Sequence, residues 1–203
     1  MTTPATSAGA DIVVGVFVGG RGSRLGGVAK GLLQAPDNAS SLVERLLIEL
    51  GAALPAAELV LVGNAAAYQS LGLRAVADAP GAEGPLGGLL GLLQYAESAQ
   101  RTHVLALACD LPYIERNLLQ RLGSEENDAA ALVSKTGTLR NPLVARYRVL
   151  PALAAARDVL ASGARSLQAV LDRLGDGAVV LSLSSAEEAS LRDWDTPEDM
   201  QRR

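Results

Sequence analysis

The sequence predicts an α/β fold of three layers, with a mostly parallel central sheet covered by helices on both faces. Three observations predict it. Short apolar runs alternate along the chain with amphipathic stretches, the pattern of repeated strand–helix units. The run His103-Val104-Leu105-Ala106-Leu107-Ala108 is apolar on both faces, as a central parallel strand must be. Polar or glycine-rich residues follow successive strands, where open α/β sheets bind their ligands.

Taken in order, Ile12 to Val18 reads as the first strand, and the loop Gly19 to Lys30 follows it. Gly31-Leu32-Leu33 reads as a short extended piece and Ala35-Pro36-Asp37-Asn38 as a turn. Ser41 and Glu44 have capping-box spacing, and Leu42, Leu46, Leu47 and Leu50 then mark one helical face. Leu59 to Val62 is the second strand, ending at Gly63-Asn64, with a short helix through Tyr68. Leu73 to Ala77 is the third, ending at Asp78. A second glycine-rich loop, Asp78 to Gly88, runs into a helix carrying Leu89, Leu90, Leu92 and Leu93. The fourth strand, His103 to Ala108, ends at Cys109-Asp110-Leu111-Pro112 and precedes a helix over 114–122. Strands over 129–134 and 141–147, helices near 150–162 and 166–174, and a strand over 178–183 complete the pattern. Thr196 as N-cap and Pro197 in the first turn begin a last helix. Nothing divides residues 11–203, so they are expected to form a single domain behind a disordered tail, residues 1–10.

Composition narrows the function. A chain of 203 residues that is 49% hydrophobic builds a full core, mostly of Leu, Val and Ala because aromatics make up only 3%. A net charge of −4 argues against a general nucleic-acid binder. The single Cys, Cys109, excludes an intramolecular disulfide and suits a reducing cytoplasm. The single His, His103, excludes a His-based metal cage. No apolar run reaches the roughly 18 residues of a membrane span, and residues 1–10 do not read as a signal peptide.

The first loop carries the clearest chemistry. Of its twelve residues, Gly19 to Lys30, five are Gly and three, Arg21, Arg24 and Lys30, are basic. Backbone without side chains lets N–H groups approach a ligand closely, and successive N–H groups make an anion-binding concavity. The loop is built to hold phosphates. It is not the dinucleotide fingerprint, whose third Gly position holds Leu25, nor a Walker A loop, whose ending Ala29-Lys30-Gly31 breaks.

The pattern G-G-x-x-S-R-x-G-x-x-x-K after the first strand resembles the signature loop of MobA-like nucleotidyltransferases, which include the molybdenum-cofactor guanylyltransferases. Cys109-Asp110-Leu111-Pro112, Gly84-Pro85-Leu86-Gly87-Gly88, Gly63-Asn64, Arg140-Asn141-Pro142-Leu143 and Asp193-Trp194-Asp195-Thr196-Pro197-Glu198-Asp199 resemble further elements of that family, in the same order. The resemblance implies a Rossmann-like nucleotidyltransferase fold and Mg²⁺-dependent transfer of GMP from GTP to the phosphate of molybdopterin or the molybdenum cofactor. By that resemblance Lys30 stabilises charge on the phosphates, Arg24 is a second clamp, and Asp110 is the metal ligand, joined by Asp78. Gly19, Gly20, Arg24, Lys30, Asn64, Asp78, Gly84, Pro85 and Leu86 then hold the nucleotide, and Arg140, Asn141, Asp193 and Asp195 the acceptor. Handing a labile cofactor to receiving apo-enzymes would be a transient protein contact; no nucleic acid and no membrane is expected.

The base is left open. Gly19-Gly20 matches members that use guanine, whereas Asp193 and Asp195 match relatives that transfer cytidylyl groups. The same fold also serves sugar phosphates. Ala29, where many members have Asp, keeps alive a nucleotide-binding regulator that has lost catalysis.

Overall fold

The computed structural model describes residues 9–19, 29–37, 39–82, 84–125 and 127–194. The expectations for residues 1–8 of the tail, for Gly20, Arg21 and Arg24, and for Asp195 and the helix begun by Thr196 lie outside those residues.

Seven strands form one sheet, in the order β3-β2-β1-β4-β6-β5-β7. They are β1 (Ile12–Phe17), β2 (Glu58–Val62), β3 (Arg74–Val76), β4 (His103–Ala108), β5 (Ala131–Thr136), β6 (Leu139–Arg148) and β7 (Ala178–Val180). The first four are mutually parallel, with Gly15 of β1 opposite Val60 on one side and Ala106 on the other. β7 runs parallel to β5. Only β6 runs against its neighbours, pairing antiparallel with both β4 and β5.

Alternation along the strands divides the core in two. Val13, Phe17, Val60, Val62, Val104 and Ala106 face one side, under α2 (Gly84–Ser98), α4 (Val149–Ala161) and α5 (Leu167–Leu174). Val14, Val16, Leu61, Leu105 and Leu107 face the other, under α1 (Leu42–Ala53) and α3 (Arg116–Ser124). Each fully buried Leu or Val contributes about 2 kcal/mol, so both helical layers are needed to hold the sheet. Ser41 caps α1 and Glu44 closes the reciprocal bond, the box expected from their spacing.

Three local expectations need correction. Lys30–Leu32 forms a 3-10 turn rather than an extended piece, because Gly31 is held from elsewhere in the chain. The fifth strand starts at Ala131, not Ala129, and the last ends at Val180, where its pairing with Val133 ends. The chain also forms α6 (Ser185–Ser190), capped by a Ser184–Glu187 box that had not been anticipated.

Candidate active site

Parallel β1 to β4 put all four of their carboxyl ends on one rim of the sheet. Because β6 is antiparallel to β4, its beginning, not its end, lies on that rim beside Leu107 and Ala108. The rim therefore gathers residues from across the sequence.

A cleft of about 480 Å³ opens there, lined among others by Gly19, Lys30, Gly63, Asn64, Asp78, Gly84, Pro85 and Asp110. Its polar groups come from the ends of four different strands, as the sequence implied. At its floor the Lys30 Nζ donates to Asp110 Oδ2 at 3.0 Å. Both side chains are mostly buried, 22% and 15% exposed, so the pair is weakly screened. Asp78 Oδ2 accepts from the Gly84 N–H at 3.2 Å, which ties the third strand's end to the start of α2. Asn64 Oδ1 accepts from the Ala66 N–H at 3.2 Å and so shapes the turn after β2.

A second cleft of similar volume adjoins the first. Pro85, Ala108, Asp110 and Leu143 line both. Its other walls include Asn141, Pro142, Arg165, Ser166, Gln168 and Asp193. Asp110 thus stands at the junction of the two clefts.

The clefts also sort the expected residues. Leu86, in the first turn of α2, is fully buried in the core and lines neither cleft. Arg140 lines neither cleft; its guanidinium pairs with Asp172 at 2.5 Å. Asn141 does line the second cleft, where its Nδ2 donates to Thr136 Oγ1 at 2.9 Å. Arg165 and Gln168, which line the second cleft, were missed. Ser166 before an apolar run was a readable cap signal for α5, but nothing local marks Arg165 as a cleft residue.

Cys109 is buried, and burial pushes its thiol up to about 12. It is a neutral packing residue, not a nucleophile. Among the described residues no cluster of three or more His, Cys, Asp or Glu could cage a metal ion. Asp110 and Asp78 do offer two carboxylates to one cleft. That donor set fits a hard cation such as Mg²⁺, which is held by one or two carboxylates with phosphate oxygens and water. No helix among the described residues is long and apolar enough to cross a membrane.

Residues 14–178 match the family model of the MobA-like NTP transferase domain. A molybdenum cofactor guanylyltransferase of Ralstonia nicotianae is 37% identical over 133 residues, 64% of this chain and 61% of that protein. The chain's match thus spans about three fifths of that relative's length. A molybdenum cofactor guanylyltransferase of Pseudomonas putida is 34% identical over 197 residues, 92% of this chain and 94% of that protein. Among solved structures, the molybdopterin-guanine dinucleotide biosynthesis protein A of Archaeoglobus fulgidus superposes with a TM-score of 0.73 at 22% identity. It covers 93% of this chain and 95% of that one. The fold is common to both, and with a family model spanning most of the chain and the Pseudomonas relative matching almost end to end, the chain belongs to the MobA-like NTP transferase domain family.

Proposed function

We propose that this protein transfers a GMP moiety from GTP to the phosphate of molybdopterin, or of its molybdenum-loaded form, releasing pyrophosphate. The observation that carries the reading is the position of the Lys30–Asp110 pair: its carboxylate lines both clefts at their junction. Nucleotide in the first cleft and acceptor in the second would bring their reacting atoms together beside it. The names of the relatives and Gly19-Gly20 support guanine and molybdopterin as the substrates.

In this reading an acceptor phosphate oxygen attacks the α-phosphorus. A new P–O bond forms, the bond from the α-phosphorus to the bridging oxygen breaks, and its electron pair leaves with pyrophosphate. A phosphate monoester has a second pKa of about 6, so the attacking oxygen is already ionised near neutral pH and needs no general base. This agrees with the place of His103 at the far end of β4. Lys30 stabilises the charge that builds on the phosphate oxygens, a role worth most in a water-poor cleft. Lys30 and Asp110 pair at 3.0 Å. Lys30 would meet the nucleotide phosphates, and Asp110 together with Asp78 would hold a cation. Mg²⁺ bound there would neutralise phosphate charge as a Lewis acid. Arg165 and Asn141 line the second cleft and are suited to anchoring the acceptor. Reduced Cys109 suits a cytoplasmic site of action, with direct transfer of the product to receiving apo-enzymes.

Thermal-shift titrations with GTP, CTP, ATP and UTP, with and without Mg²⁺, followed by mass analysis of the product formed with molybdopterin, test the reading. A ligand at 100 times its Kd adds about 2.7 kcal/mol of apparent stability. Stabilisation by GTP and a guanylylated product are expected. A cytidylylated product would replace the donor, and no stabilisation by any nucleotide would overturn the reading.

A further inference from the structure

The Lys30–Asp110 pair is formed by two segments that follow the paired strands β1 and β4: Lys30 sits in a 3-10 turn beyond β1, and Asp110 follows β4. Tyr68 bridges them from a third place. It lies in the 3-10 turn Ala66–Leu71 that follows Asn64, and its side chain is 1% exposed. Its hydroxyl accepts the Gly31 N–H at 3.1 Å, and its side chain belongs to the same apolar cluster as Cys109. Gly31 is the chain neighbour of Lys30, and Cys109 the chain neighbour of Asp110. The three converge so closely that a Cβ on Gly31 would stand 2.9 Å from the Tyr68 hydroxyl and 3.3 Å from the Cys109 Cβ.

From this convergence we infer that Tyr68 is a positioning residue, whose hydroxyl places Lys30 against Asp110 by holding the backbone of its neighbour Gly31. A phenyl ring would fill the same volume in the core, so packing alone does not account for the hydroxyl. A buried hydroxyl is unfavourable unless hydrogen-bonded, and the partner of this one, the Gly31 N–H, adjoins Lys30. Burial pushes Tyr68 up to about 12, so the group stays neutral and keeps its own proton while it accepts from Gly31. Tyr68 touches neither phosphate nor metal in this scheme. It acts through Lys30, and the inference rests on the reading that Lys30 acts on nucleotide phosphate.

Tyr68→Phe removes the hydroxyl and keeps the ring. Misplacement of a reacting group by about 1 Å can lower a rate ~100-fold. A loss of kcat on the order of 10- to 100-fold is therefore expected, with the nucleotide KM changed less than about twofold. In a Lys30→Ala background the same change should cost no further activity, because residues that act as a unit are not additive. Losses that multiply, as they would for a general loss of core stability, overturn the inference. Val159→Ala in α4, remote from the clefts, gives the comparison for lost stability alone.

A second measurement needs no turnover. The chain has two lysines, Lys30 and Lys135. In [15N]lysine-labelled protein the Lys30 ammonium, shielded by its carboxylate partner, should give a signal that exposed Lys135 loses to water exchange. Asp110→Asn and Tyr68→Phe should both abolish it, and Gly31→Ala should do so if Tyr68→Phe fails to fold. Retention of the wild-type signal in Tyr68→Phe overturns the inference. If wild-type protein transfers no nucleotide at all, the functional reading fails and the ammonium signal alone decides the role of Tyr68.

Discussion

The Lys30 ammonium and the Asp110 carboxylate meet at 3.0 Å across 80 positions of sequence. Their meeting is a product of the sheet: β1 and β4 are parallel neighbours, so the segments beyond their carboxyl ends share one rim. In the proposed reaction the pair would offer its ammonium to phosphate and its carboxylate to a cation.

Lys30→Ala should lower kcat by about 10²–10³, the usual loss when one preorganised stabiliser of developing charge is removed. The acceptor KM should stay near wild type, because Lys30 does not line the second cleft. Asp110→Asn should differ in kind, raising the Mg²⁺ concentration needed for half-maximal activity. Steady-state kinetics over a Mg²⁺ titration separates the two. An unchanged Mg²⁺ midpoint in Asp110→Asn would remove Asp110 as the cation's ligand.

His103 predicts an acid-sensitive step in stability rather than in catalysis. Burial holds its pKa below the ordinary 6.5, with Arg146 and Arg148 pushing the same way and Asp11 opposing them. The folded protein therefore binds fewer protons here than the unfolded chain does, between its folded pKa and 6.5. The neutral ring's contribution is fully present above 6.5 and is lost as pH falls through the folded value. Melting temperatures measured from pH 7.5 down to 5.5 should fall less steeply in His103→Gln than in wild type and converge above pH 7. The pH profile of transfer should be the same in both, since His103 opens β4 at the end away from Asp110. Parallel melting curves would show that another group governs the acid limb.

Much of this was readable before the fold. β4 has the boundaries its apolar run indicates, and the box of Ser41 and Glu44 caps α1 as its spacing requires. Gly19, Asn64, Asp78 and Asp110 line one cleft because parallel strands align their ends, a consequence of strand order alone. What stayed hidden depends on distant partners. Gly31-Leu32-Leu33 reads locally as extended, but the Tyr68 hydroxyl 37 positions away bonds to Gly31 in a 3-10 turn. Strand direction leaves no mark on residues 139–148, so the insertion of antiparallel β6 between β4 and β5 was not legible. Arg140 and Asn141 are adjacent, yet one pairs with Asp172 and the other lines the second cleft.

Two glycines in helices should respond oppositely to alanine. Gly51 lies in α1, where a Cβ meets nothing within 4 Å. Gly51→Ala should stabilise by about 0.5–1 kcal/mol through the lower entropy of the unfolded chain. At Gly87 in α2 a Cβ would stand 2.2 Å from the Ala82 carbonyl oxygen and 2.7 Å from its carbon. The obstacle is backbone, so the loop from Asp78 to Ala82 must shift, and overpacking of this kind costs about 1–3 kcal/mol. Thermal melts should show opposite shifts, and weaker cation binding should accompany Gly87→Ala alone, because Asp78 moves with that loop. Equal cation affinity in both variants would detach Asp78 from the metal.

Trp194, the chain's one tryptophan, should control access to the acceptor side. Its amide donates to the Asp110 carbonyl at 3.1 Å, and its ring, 4% exposed, packs with Ala35 and Leu42 and edge-on to Tyr113. The Arg192 guanidinium lies over the opposite partner of that contact, 4.8 Å from the Tyr113 ring centre. Between these two anchors stands Asp193, which lines the second cleft. The indole N–H has no partner among the described residues, so the ring is held by packing rather than by a polar bond. Trp194→Ala should cost about 3 kcal/mol of stability and release Asp193 from the cleft wall. The acceptor KM should then rise several-fold, with the nucleotide KM within about twofold of wild type. Trp194→Phe, which keeps an aromatic ring against Tyr113, should recover most of both losses. The wild-type emission should be that of a buried indole and should change when nucleotide and Mg²⁺ reach Asp110, one hydrogen bond away. Equal rises in both KM values, or emission indifferent to nucleotide, would show that the Trp194 anchor is uncoupled from the two clefts.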